Sequence, residues 1–100
     1  MSNLKRNAIG VVEVNFFTNS VVVLDEMLKA SDVELVSFHS KLGGRMVHSI
    51  IAGETSAVNA AIEAANNAKK IVGEKNVKVA VTISNPHPEV IKLLNLICDN

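Results

Sequence analysis

His39 and His48 stand on either side of a Gly43-Gly44 pair, and their side chains are the first to test for chemistry. If the glycines turn the chain back on itself, the two imidazoles face each other across a hairpin and form at most a two-histidine site. A zinc-type centre takes three or four protein ligands, and no third ligand stands at a recognisable spacing. The pair therefore reads as two partly exposed strand histidines, and no metal is expected. Cys98 is the single cysteine, which excludes an internal disulfide and any multi-cysteine metal site, including the two-cysteine copper-chaperone arrangement. It reads as a partly buried thiol near the C-terminus. Serines are present, but no Ser, His and acid spacing marks an activated nucleophile. The carboxylates Glu13, Asp25, Glu26, Glu34, Glu54, Glu63, Glu74 and Glu89 are scattered at intervals typical of solvated faces. No catalytic residue and no cofactor are expected, so the residues argue against an enzyme.

One short segment remains. Lys41, Gly43, Gly44 and Arg45 place two cations and two flexible residues within five positions. The segment lacks the length and the Lys-Ser/Thr of a phosphate loop. In a single chain it is a solvated turn. Around the axis of a cyclic oligomer it becomes a ring of basic groups around a hole, and such rings select small solutes by size and charge.

The elements that position this loop follow from periodicity. Ala8 to Phe17 reads as a strand, with Ile9, Val11, Val12, Val14 and Phe16 β-branched or aromatic and Gly10 as an interior interruption. Thr18-Asn19-Ser20 offers N-cap chemistry to a helix over Val21 to Ala30. Its Val21-Val22-Val23 run would also suit a strand, but Leu24, Met27 and Leu28 on one side favour the helix. Ser31-Asp32 ends it. Val33, Leu35, Val36 and Phe38 form a second strand running to Lys41. Gly43-Gly44 is the hairpin tip, and Arg45 to Gly53 is the third strand. Thr55 or Ser56 caps a helix whose Ala57, Ala60, Ala61, Ala64, Ala65 and Ala68 fall on one face at helical period. Gly73 stops it. Val77, Val79, Val81 and Ile83 alternate with Lys78, Ala80 and Thr82 in a last strand, and Pro86 and Pro88 precede a short helix from Glu89 to Ile97. The order β-α-β-β-α-β is the α+β, ferredoxin-like split arrangement: an antiparallel four-stranded sheet with two long helices on one face, the other face partly open, and a short C-terminal helix.

Composition sets the outer bounds. One hundred residues make one domain, 1–100, with a core over about 8–94. Forty-eight per cent of the residues are apolar, a surplus for a small body that asks for a subunit interface. Ten basic and ten acidic residues cancel, and three Phe with no Trp or Tyr supply few stacking faces, so nucleic acid is not an expected partner. No apolar run approaches a membrane span, and the basic Met1-Ser2-Asn3-Leu4-Lys5-Arg6 is not followed by a signal-peptide core. The expectation is a soluble, intracellular protein with no membrane partner.

Several motifs then fall in a familiar order. These are Ala8-Ile9-Gly10-Val11-Val12-Glu13, Asp25-Glu26-Met27-Leu28-Lys29-Ala30, Lys41-Leu42-Gly43-Gly44 and Ala52-Gly53-Glu54 with Ala57-Val58-Asn59-Ala60-Ala61. Val72-Gly73-Glu74 and Asn85-Pro86-His87-Pro88-Glu89-Val90 complete the set. From about Ala8 to Leu94 the chain resembles the hexameric, single-domain shell proteins of bacterial microcompartments. The resemblance implies a non-catalytic homohexamer that tiles edge to edge with other shell proteins into the facet of a cytoplasmic polyhedral shell around metabolic enzymes. It also implies a central pore that passes small metabolites, lined by a loop usually written Lys-Ile-Gly-Ser-Gly. Lys41, Leu42 and Gly43 match that loop; Gly44 stands at the usual Ser, and Arg45 at the usual second Gly. Loss of the hydroxyl is expected to widen the opening, and Arg45 to add positive charge. The tiling edge maps to Lys29 late in the first helix. Its usual arginine partner before Pro-His is here Asn85, followed by Pro86-His87, so hexamer-to-hexamer packing is expected to be weaker or confined to mixed shells.

Two other readings share the topology. A regulatory small-molecule-binding domain would use the apolar surplus in a dimer. A small hydrolase such as an acylphosphatase would need an Arg and an Asn at a phosphate-sized nest, and no loop here builds one.

Overall fold

The computed structural model describes residues 7–98, with side chains described through Leu94. The basic N-terminal segment and the Cys98 thiol lie outside these. Strand β1 (Ala8–Asn15) leads to helix α1 (Phe17–Ala30), and β2 (Glu34–Lys41) and β3 (Met46–Gly53) form the hairpin. Helix α2 (Thr55–Asn67), a single turn α3 (Lys69–Val72), β4 (Val77–Ser84) and α4 (Pro88–Cys98) follow. The strands are ordered β2-β3-β1-β4 and every pairing is antiparallel, as the ferredoxin-like reading expects. Among the described residues no helix is long and apolar enough to cross a membrane.

The main core lies between the sheet and the two long helices. Ala8, Val12 and Val14 of β1 and Ile51 of β3 meet Val23 and Met27 of α1 and Val58, Ala61, Ile62 and Ala65 of α2. Burial of Val23 and Met27 resolves the strand-or-helix ambiguity of Val21-Val22-Val23: tertiary packing, more than propensity, decides a helix of this length. The alanine stripe of α2 is buried only in part. Ala61, Ala65 and Ala68 face the core together with Val58 and Ile62, whereas Ala57 and Ala64 are half-buried and Ala60 is exposed. Gly10, which read only as an interruption, sits beneath Ile62. A Cβ built there would lie 3.0 Å from Ile62 Cδ1 and 2.9 Å from Ile51 Cγ1. The missing side chain lets α2 approach the sheet.

Three local readings are corrected. Strand β1 stops at Asn15, and the helix begins at Phe17, before the proposed Thr18-Asn19-Ser20 cap. Phe16 makes the corner with φ 71°, its N–H donating to Arg45 O at 2.9 Å and its carbonyl accepting from Ser20 N at 3.1 Å. Asn19 and Ser20 instead bond backwards, Asn19 Nδ2 to Asn15 O and Ser20 Oγ to Phe17 O. Neither Thr55 nor Ser56 caps α2. Glu54 holds the cap position without a side-chain bond, and Thr55 N donates to Asn7 Oδ1 at 2.9 Å, so the capping oxygen comes from the residue before β1.

The valines of β4 also divide in a way that alternation alone does not show. A register shift between Glu13 and Val14 turns Val77 to the helix side, while Val79, Val81 and Ile83 face the other side of the sheet. That second face is partly covered by α4, whose Leu94 and Ile91 pack on Ile9, Ala52, Val11 and Ile50. Beyond α4 it stays open, with Val81 45% exposed.

Candidate functional site

The hairpin tip is the segment where the backbone is most unusual. Three consecutive residues, Leu42, Gly43 and Gly44, have φ of 55°, 65° and 88°. The glycines adopt this freely, and Leu42 is the residue that bears strain. Arg45 returns to φ −79° and its N–H donates to Leu42 O at 3.3 Å, closing the turn. The neighbouring β1–α1 corner holds the loop from behind through Phe16 N to Arg45 O. The Phe17 ring packs edge-on against Phe38, with centroids 5.9 Å apart, at the same end of the sheet.

Such a tip presents its atoms outward. Leu42 is 68% exposed, and a Cβ at Gly43 would meet nothing within 4 Å. Lys41 and Arg45 are exposed, and neither has an ion-pair partner among the described residues. Lys41 ends β2 opposite Met46, so the two cations flank the turn. All five expected loop residues, Lys41, Leu42, Gly43, Gly44 and Arg45, are thus contiguous on one protruding, positively charged tip. Phe16 was missed because an aromatic residue with positive φ leaves no trace in hydropathy or alternation.

The expected edge residues are not joined within one chain. Lys29, in the last turn of α1, pairs with Asp25 Oδ2 at 2.7 Å rather than with Asn85 or His87. The hydrogen bond and charge of Asp25 hold its ammonium above the usual lysine range. Asn85 has φ 52° and its N–H donates to Asn7 O. His87 opens α4, its Nδ1 accepting from Glu89 N at 3.0 Å. Both remain exposed.

The histidines do meet as expected. His39 of β2 lies directly opposite His48 of β3, and Glu13 of β1 lies opposite His48 on its other side. His48 Nε2 is 2.9 Å from Glu13 Oε1. Strand register carries this three-residue row, and spacing along the chain gave no sign of Glu13 as the partner. A cavity of about 380 Å³ on the open face is lined by Val11, Ser37, His39, Lys41, His48 and Ile50. Among the described residues no group of three or more His, Cys, Asp or Glu side chains is gathered to hold a metal ion.

This sheet, with helices α1 and α2 on one face and a cationic tip between β2 and β3, has known relatives. The BMC domain family matches residues 8–86, and the chain belongs to that family. It is 36% identical over 91 residues to the bacterial microcompartment shell protein PduA of Salmonella typhimurium, covering 91% of this chain and 94% of that protein. It is 37% identical over 89 residues to the carboxysome shell protein CsoS1A of Hydrogenovibrio crunogenus, covering 89% of this chain and 91% of that protein. A crystal structure of a microcompartment protein from Desulfitobacterium hafniense superposes with a TM-score of 0.75 at 25% identity. It covers 91% of this chain and 48% of the other, so this chain spans about half of that protein.

Proposed function

We propose that the protein is a structural, non-enzymatic component of a bacterial microcompartment shell in the cytoplasm. In this reading it forms cyclic hexamers that tile with other shell proteins around encapsulated enzymes. The observation that carries it is the loop Lys41–Arg45, a protruding, left-handed tip with two cations that are unpaired among the described residues, on a chain of the BMC domain family whose relatives include named shell proteins. Six copies of such a tip around an axis make a pore, with Gly43 and Gly44 as its constriction. Lys41 and Arg45 then favour small neutral or anionic metabolites. The partly open sheet face with Val79, Val81 and Ile83 supplies apolar surface for subunit contact, and Lys29, Asn85 and His87 form the tiling edge.

Light scattering on the purified chain at two salt concentrations tests the assembly. A stable species of six subunits is expected, and a dimer would remove the pore and favour a regulatory ligand-binding domain of the same topology. Lys41→Glu with Arg45→Glu should then slow anion entry into reconstituted shells. Unchanged anion entry would overturn the charge assignment.

A further inference from the structure

We infer that the open face of the sheet carries a two-imidazole site for a divalent transition-metal ion, with His39 and His48 as its protein ligands. The register of the sheet creates the pair. A shift in β2 between Leu35 and Ser37 brings His39 opposite His48; in the register before the shift it would oppose Val47. Directly opposed residues of an antiparallel pair hold their Cβ atoms roughly 4.5–5.5 Å apart on one face, a spacing from which two imidazoles can reach one ion.

Each ring has a nitrogen to offer. A carboxylate offers only acceptors, so in the contact with Glu13 Oε1 the His48 ring donates from Nε2, and in the neutral ring Nδ1 then keeps its lone pair. A carboxylate that orients a ring through its far nitrogen is the usual outer partner of a metal-bound histidine. The His39 ring has no hydrogen-bond partner among the described residues. Both rings line the same cavity of about 380 Å³, whose volume holds the waters that complete a coordination sphere. Imidazole ligands suit zinc, copper and nickel. Lys41 lines the cavity too and its charge opposes a cation, so affinity is set by two ligands working against one positive charge. All donors belong to a single chain and lie on β2 and β3, toward the opposite edge of the sheet from the β4 residues assigned to subunit contact, so the inference does not require the shell reading.

Calorimetric titration of the full chain with zinc chloride tests it. One saturable site per chain is expected. His39→Gln and His48→Gln should each weaken it about tenfold or more, Lys41→Gln should tighten it, and His87→Gln should leave it unchanged. In the wild-type chain, zinc should shift the ring-carbon resonances of His39 and His48 together and with one saturation curve, a readout that needs no variant to fold. Absence of saturable binding at millimolar zinc, survival of the site in either of the first two variants, or resonance shifts confined to His87 would overturn the inference.

Discussion

The close approach of α2 to the sheet at Gly10 can be measured. A Cβ at Gly10 would lie 2.9 and 3.1 Å from Ile51 Cγ1 and Cδ1, and 3.0 Å from Ile62 Cδ1. Ile51 is fully buried and Ile62 is 8% exposed, so neither side chain moves off a new Cβ without disturbing the core. Overpacking of this kind costs about 1–3 kcal/mol, offset by roughly 0.5–1 kcal/mol from the entropy that Ala removes from the unfolded chain. Gly10→Ala should therefore destabilise the protein by up to about 2.5 kcal/mol. Ile62→Val alone should cost about 0.5–1.5 kcal/mol as lost burial, but it removes the methyl that the new Cβ at position 10 would strike. The double variant should consequently be less destabilised than the two singles added together, by about 0.5 kcal/mol or more. Urea unfolding followed by circular dichroism, at one protomer concentration throughout, gives the four free energies. A Gly10→Ala that stabilises the protein, or a cycle that is strictly additive, would refute the packing argument.

At the tip, Gly43→Ala should destabilise by about 1–2 kcal/mol through backbone conformation alone, because its φ is positive and its Cβ would meet open space; a thermal melt should fall by about 4–8 °C for each kcal/mol. Asn7→Ala removes the oxygen that accepts from Thr55 N and should cost about 0.5–2 kcal/mol, read as a lower urea midpoint, with Asn7→Asp retaining most of the stability. The Lys29 ammonium should titrate above the ordinary lysine value in NMR of its ε-methylene, and Asp25→Asn should bring that midpoint down. The sign follows from the shift: the pair's contribution is present at neutral pH and is lost as pH rises through the raised lysine pKa.

Much of the architecture is legible in the chain because it rests on local pattern. The β-branched run of β1, the alternation of β4, the 3.6-residue period of α2 and the Gly43-Gly44 turn mark five of the six main elements, in an order that admits few topologies. Lys41 to Arg45 is legible for the same reason, since a turn keeps its residues together whatever else packs around it. The alanine face of α2 is a partial success: periodicity located the stripe, but only contact with the sheet sets which edge of it is buried, and the buried edge takes in Val58 and Ile62.

Tertiary structure alone decided the rest, and each case turns on partners distant in sequence. The cap of α2 comes from Asn7, forty-eight positions away. The β1–α1 corner is fixed by a bond from Phe16 to Arg45, so an aromatic residue takes a backbone conformation its own preference disfavours. Register shifts in β2 and β4, invisible to a strict alternation, place His39 against His48 and divide Val77 from Val79, Val81 and Ile83. Local pattern selects which elements form. The register between strands, where a shift of one residue reverses a face, determines which side chains meet.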